Sequence, residues 1–248
     1  MFSFKNGQPI FRIKGGKNSN KKVKLDTSEE PNDKNFKEIT VQSGVIQPLP
    51  PKDPDKRICV YVSGPSGSGK STWASQFCKE YKKLHRKNKI VLFSPIQDDD
   101  NINELNPISF TLNAENILDE ESKVTLEELK DTLCIFDDID AISDKKIRDG
   151  VRGLLSEILL TGRHYNISTV CTSHILCNWK QSRDLLNESH MVVFFPKTNA
   201  YHIKNYLKNH CGFSKDQIQK ILRLPSRWVA VHKNYPNYII SKDQAYII

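Results

Sequence analysis

Residues 64–71 read Gly64-Pro65-Ser66-Gly67-Ser68-Gly69-Lys70-Ser71, a full match to the pattern G-x-x-x-x-G-K-[ST] of a phosphate-binding loop. The flanks have the form the pattern requires. An apolar strand, Ile58 to Val62, precedes the loop, and a helix from about Lys70 to His85 follows it. The residue types answer a physical need. Glycines let the backbone curl until successive N–H groups face one anion, and the next helix adds the positive end of its dipole. Lys70 reaches the β and γ phosphates, and the Ser71 hydroxyl ligates magnesium. Thr72, just past the motif, packs or caps the helix. Gly64 to Thr72 are therefore the candidate nucleotide-binding residues, with ATP and Mg2+ as the implied cofactors. The loop alone does not separate an ATPase from a kinase or a GTPase.

Downstream, Leu133-Cys134-Ile135-Phe136-Asp137-Asp138 reads as a short buried strand that delivers two carboxylates to the sheet edge where the phosphate loop sits. Asp137 is the candidate magnesium ligand beside Ser71. Asp138 is the candidate group that orients or deprotonates an attacking water, and Asp140 is a weaker third candidate. The competing reading makes Asp137-Asp138 a cap for the helix that follows. The next strand, Ile167 to Thr172, ends in Ser173-His174, so His174 is placed to sense the γ phosphate or to hydrogen-bond at a sheet edge. Arg163 stands between a helix and this strand. There it can sit at a subunit boundary and stabilise charge in a neighbour's site, or form a surface ion pair; Arg148 and Arg152 are lesser candidates for that role.

The rest of the chain supplies the context. Strands are expected at Ile90–Ser94 and Met191–Phe195. Helices are expected at Asp144–Thr161, Ala200–His210 and Lys215–Leu222, with a short one at Thr125–Asp131. Ser214 and Gln217 form a capping box, and Gly212 stops the helix before it. Trp228–Val231 and Tyr238–Ile240 read as a hairpin. Strands alternating with helices predict an α/β fold: a three-layer, mostly parallel sheet with helices on both faces. Residues 56–248 are assigned to this domain. Residues 1–55 are read as a polar N-terminal arm or linker, with a possible hairpin over Phe2–Ile13 around Asn6-Gly7 and a loose stretch from Gly15 to Asp55.

Composition narrows the classes. The 248 residues carry 37 Lys+Arg against 29 Asp+Glu, a formal charge of +8, which is compatible with nucleic acid or an acidic surface. The charge is segregated. Residues 98–140 hold 14 acids against two lysines, and residues 180–233 hold ten Lys/Arg against three acids. No run of 18 apolar residues predicts a membrane span. The six cysteines lack framework spacing and read as reduced, buried thiols. Alternation on a buried strand explains Cys171 better than a metal site with His174 and Cys177.

GPSGSGKS at 64–71, LCIFDDID at 133–140 and LLTGRHYNISTVCTSH at 159–174 together resemble the FtsK–HerA superfamily of P-loop motor ATPases. Within it they are most similar to the genome-packaging ATPases of nucleocytoplasmic large DNA viruses of the poxvirus type. The resemblance covers about residues 57–232. It implies a P-loop NTPase of the ASCE, RecA-like kind that forms a homo-oligomeric ring and moves double-stranded DNA into a capsid, in the host cytoplasm or the virion. Capsid or virion membrane proteins are implied as partners. It also implies Arg163 as the arginine acting across subunits and Asp138 as the catalytic acid. The family usually has glutamine where this chain has His174. Two other readings stand beside this one: a small-molecule kinase, and a nucleotide-binding structural protein without turnover.

Overall fold

The strand before the glycine loop is buried along its whole length, and the main sheet grows outward from it. The computed structural model describes residues 1–28, 36–96, 99–177 and 182–248. In chain order the strands are β1 (Phe2–Ser3), β2 (Gln8–Lys14), β3 (Lys22–Leu25), β4 (Glu38–Thr40), β5 (Val45–Pro48), β6 (Cys59–Ser63) and β7 (Lys89–Phe93). They continue with β8 (Ile108–Ser109), β9 (Thr132–Phe136), β10 (Ser168–Ser173), β11 (Met191–Phe194), β12 (Val229–His232), β13 (Tyr238–Ser241) and β14 (Gln244–Ile247). The helices are α1 (Lys70–Leu84), α2 (Asp100–Asn103), α3 (Ala114–Leu118), α4 (Lys145–Thr161), α5 (Arg183–Glu188), α6 (Ala200–Asn209) and α7 (Lys215–Arg223).

Ten strands form the main sheet in the order β4-β14-β13-β12-β11-β6-β10-β9-β7-β8. From β11 to β8 every pairing is parallel, whereas β11 to β4 run antiparallel. Both faces are covered, which is why the central strands read as unbroken apolar runs. Val60, Val62, Leu133 and Ile135 face Trp73, Ala74, Phe77 and Tyr81 of α1. The alternate residues Cys59, Tyr61, Cys134 and Phe136 face Val151, Leu155, Ile158 and Leu159 of α4. The α/β three-layer expectation holds. Asp144 caps α4 by accepting from the Lys146 and Ile147 N–H groups, and the Ser214–Gln217 capping box opens α7.

Three local expectations are corrected. Thr125–Asp131 forms turns rather than a helix: Thr125 and Glu128 make the reciprocal bonds of a capping box, but Asp131 turns left-handed (φ 53°) and its N–H goes to the Tyr165 carbonyl at 3.0 Å, so the segment stops there. The C-terminal hairpin gains a third strand, β14, which pairs with β4. The largest change is in residues 1–55. The possible hairpin over Phe2–Ile13 does not form, since β1 pairs with β3 and β2 lies between β3 and β5. Gly7, at φ +96°, serves close approach instead of a two-residue turn: a Cβ there would lie 2.0 Å from the Leu25 carbonyl oxygen.

Nor is the stretch from Gly15 to Asp55 a loose arm over its described residues; residues 29–35 lie outside them. Phe11, Ile13, Val23 and Ile46 are buried in the same cluster as Phe77 of α1 and Tyr238 of β13. On α1, the buried Glu80 carboxylate draws Arg12 to 2.5 Å, Lys83 to 3.1 Å and Lys14 to 3.8 Å. This pins β2 to the helix that follows the phosphate loop.

Candidate nucleotide site

Parallel pairing brings the chemistry-bearing strand ends to one edge of the sheet. In register, Ser63 of β6 lies opposite Ser173 of β10, and Cys171 lies opposite Phe136 of β9. The Gly64 N–H donates to the Ser173 carbonyl at 3.0 Å. The loop therefore leaves β6 beside the residues that end β10 and β9, at the carboxyl edge where ligands bind in such sheets.

Lys70 opens α1 and is buried, 6% exposed, with its Nζ 3.9 Å from Asp138 Oδ1. Asp138 adopts a left-handed backbone (φ 44°), which turns it out of β9 toward the loop. On its other side, His174 Nε2 lies 3.3 Å from Asp138 Oδ2. Lys70, Asp138 and His174, drawn from three separate segments, are thus brought together. Thr172, which sequence reasoning passed over as a strand residue, organises the two acids. Its hydroxyl accepts from the Asp138 N–H at 3.0 Å and donates to Asp137 Oδ1 at 2.7 Å.

The remaining candidates are sorted by their contacts. Asp140 is engaged by Arg152 at 2.8 Å and by the Ser173 hydroxyl at 3.2 Å. Arg148 donates to the Ile142 carbonyl at 2.7 Å. Arg163 is exposed and contacts the neighbouring His164 at 3.4 Å. It precedes the amino end of β10, whereas the loop adjoins the carboxyl end. Five residue steps of about 3.3 Å put it at least roughly 17 Å along the strand from its own loop.

The residues suit a nucleotide phosphate. Ser68 Oγ is buried without a hydrogen-bond partner, a Cβ on Gly67 would meet nothing within 4 Å, and Lys70 presents a buried ammonium. Such donors around open space are what a polyanion requires. Thr72 is exposed on the outer face of α1.

Sequence reasoning missed Arg227 entirely. Its Nε donates to the Ser68 carbonyl and its Nη2 to the Gly67 carbonyl, each at 2.8 Å. Nothing local signals this contact across 159 residues.

Burial pushes the Asp137 carboxyl above the ordinary carboxylate range; the hydrogen bond from Thr172 opposes this and the Asp138 charge adds to it. A raised folded-state pKa gives a stability contribution that is full below the ordinary value and is lost as pH rises through the raised one. Ionised Asp137 therefore opposes folding at neutral pH. Asp137→Asn, whose amide oxygen still accepts from Thr172, is expected to raise the Tm of the nucleotide-free protein at pH 7.5 by about 2–4 °C, the equivalent of about 1 kcal/mol. The gain should shrink as pH falls toward 4. A Tm at pH 7.5 equal to or below wild type would refute the argument.

Fold and loop together have the architecture of a P-loop NTPase. Among solved structures, the genome packaging NTPase B204 from Sulfolobus turreted icosahedral virus 2, in complex with sulfate, is similar with a TM-score of 0.51 and 12% identity, over 76% of this chain and 95% of that one. The pCW3 conjugation coupling protein TcpA, in its monomer form with ATPγS, is similar with a TM-score of 0.52 and 11% identity, over 96% of this chain and 77% of that one. At these identities the likeness is one of fold. No family profile matches the chain. Over 243 residues it is 40% identical to "Uncharacterized protein V3" of Sputnik virophage, covering 97% of this chain and 96% of that protein. The chain belongs to the family of that virophage protein. At 97% of this chain, the match extends well beyond residues 57–232.

Proposed function

We propose that this protein hydrolyses ATP to move double-stranded DNA during viral genome packaging, working as a homo-oligomeric ring. The observation that carries the reading is the convergence of Lys70, Asp138 and His174 beside the phosphate loop. The fold likeness to a genome packaging NTPase supports the packaging reading. Loop N–H groups and Lys70 bind the phosphates of ATP. Ser71 and Asp137 would hold Mg2+, which supplies a positive charge against the β and γ phosphates. Asp138 orients and deprotonates the attacking water. His174, with its Nε2 3.3 Å from Asp138 Oδ2, takes the position where related motors carry glutamine and reports the state of that acid. Arg163, too far from its own loop, serves a neighbour's site. Duplex DNA would be gripped through its phosphates, independent of sequence, by the basic surplus of residues 180–233. Capsid or virion membrane proteins are the proposed docking partners, with the virion or host cytoplasm as the setting. No helix among the described residues is long and apolar enough to cross a membrane.

The test is ATP turnover with and without duplex DNA. Wild-type hydrolysis is expected to rise severalfold with DNA and to fall at least about 100-fold in Lys70→Ala. Transfer of phosphate to a small acceptor without hydrolysis would make the protein a kinase. Tight nucleotide binding without turnover would make it a structural nucleotide-binding protein.

A further inference from the structure

We infer that Arg227 is a positioning residue for the phosphate loop: its guanidinium pins the Gly67 and Ser68 carbonyls from behind and so sets the loop for an incoming nucleotide. The inference rests on nucleotide binding at this loop.

A peptide unit points its carbonyl and its N–H in opposite directions. Pinning the Ser68 carbonyl at 2.8 Å therefore aims the Gly69 N–H away from Arg227, across the loop. Pinning the Gly67 carbonyl, also at 2.8 Å, fixes the peptide whose Ser68 N–H closes the turn onto the Pro65 carbonyl at 3.1 Å. The guanidinium holds two successive carbonyls with one planar fork, a geometry lysine cannot reproduce.

The loop needs such a clamp. Gly67 (φ +73°) and Gly69 (φ +106°) occupy backbone regions that few other residues tolerate. The same freedom widens the set of shapes open to the unbound loop beyond the one its Ser68–Pro65 turn closes, and ordering it on binding costs affinity. Arg227 supplies the order in advance.

The clamp is itself firmly mounted. Arg227 lies in the connection between α7 and β12. Beside it, the Ser226 hydroxyl donates to the Trp228 carbonyl at 2.5 Å and accepts from the Lys242 N–H at 3.0 Å, tying the segment to the turn between β13 and β14. The Trp228 ring packs edge-on against Trp73 of α1 at 6.0 Å, and Trp73 stacks on Phe77. The loop is thus braced by the antiparallel C-terminal strands as well as by α1. No hydrogen bond or ion pair among the described residues joins Arg227 to Lys70, Asp138 or His174, so its effect passes through the loop backbone.

The experiment is titration of the full-length protein with a fluorescent ADP analogue and with ATPγS, alongside melting of the nucleotide-free protein and steady-state hydrolysis. Arg227→Ala is expected to weaken nucleotide affinity about 10- to 30-fold. It should raise KM more than it lowers kcat and leave the nucleotide-free Tm within about 2 °C of wild type. Arg227→Lys, able to hold one carbonyl, should fall between the two. Arg227→Ala binding within twofold of wild type would overturn the inference, as would an affinity loss matched by a large drop in the nucleotide-free Tm with no intermediate behaviour of Arg227→Lys. If wild type and Lys70→Ala both fail to bind nucleotide, the nucleotide reading falls and this inference falls with it.

Discussion

Asp138→Asn is expected to lower ATP turnover about 100- to 10,000-fold while leaving nucleotide affinity within a few-fold of wild type. The substitution isolates chemistry from folding for a structural reason. Asp138 sits at φ 44°, and asparagine is among the few residues that share aspartate's tolerance of that region. Its backbone N–H keeps the bond to Thr172, and its amide oxygen can still face Lys70. What is lost is the carboxylate that can take a proton. Alanine would confound this by straining the backbone. Turnover is read by phosphate release and affinity by titration with ATPγS. Hydrolysis within tenfold of wild type would remove Asp138 from the role of base and point to another acid, although Asp140 is already held by Arg152 and Ser173.

The second large effect concerns Arg163. Alanine at this position is expected to reduce turnover about 1,000-fold or more, as loss of a charge-stabilising arginine does, with little change in nucleotide affinity. The decisive experiment mixes two inactive proteins. Arg163→Ala subunits retain an intact phosphate loop, and Lys70→Ala subunits retain Arg163. In an equal mixture of ring-forming subunits, about a quarter of the heterologous interfaces pair a good loop with a good arginine, so activity should reappear. Restoration identifies a residue acting between subunits. A mixture as inactive as its components, together with Arg163→Ala subunits that fail to impair wild type when co-assembled, would leave Arg163 as a surface charge. The geometry favours restoration. Arg163 stands at the opposite end of β10 from its own loop, and Arg148 and Arg152 are spent on contacts within the subunit.

The phosphate loop and its flanking strand and helix were legible because the information is contiguous. Eight residues set the turn, and the apolar run and amphipathic helix beside them need no distant partner to be recognised. Asp137-Asp138 and His174 were legible for a related reason: parallel strands deliver their carboxyl ends to one edge whatever their order in the sheet. The caps at Asp144 and Ser214 follow from residues within one helical turn.

Tertiary structure alone decided the rest. The first 55 residues read as an arm because their strands are short, lysine-rich and divided by Gly15-Gly16. Burial of Phe11, Ile13, Val23 and Ile46 depends on α1 and β13, which lie far along the chain. The pairing of β1 with β3, and of β4 with β14, leaves no periodic trace, since one strand's pattern does not name its partner. Arg227 is the sharpest case. In sequence it is one of ten Lys/Arg on a basic stretch, and the fold lays it across the backbone of the loop. Sequence determined which chemistry is present, because that is written in residue types at fixed spacing. The fold determined which of those groups meet, because contacts between distant segments depend on how strands are ordered and packed.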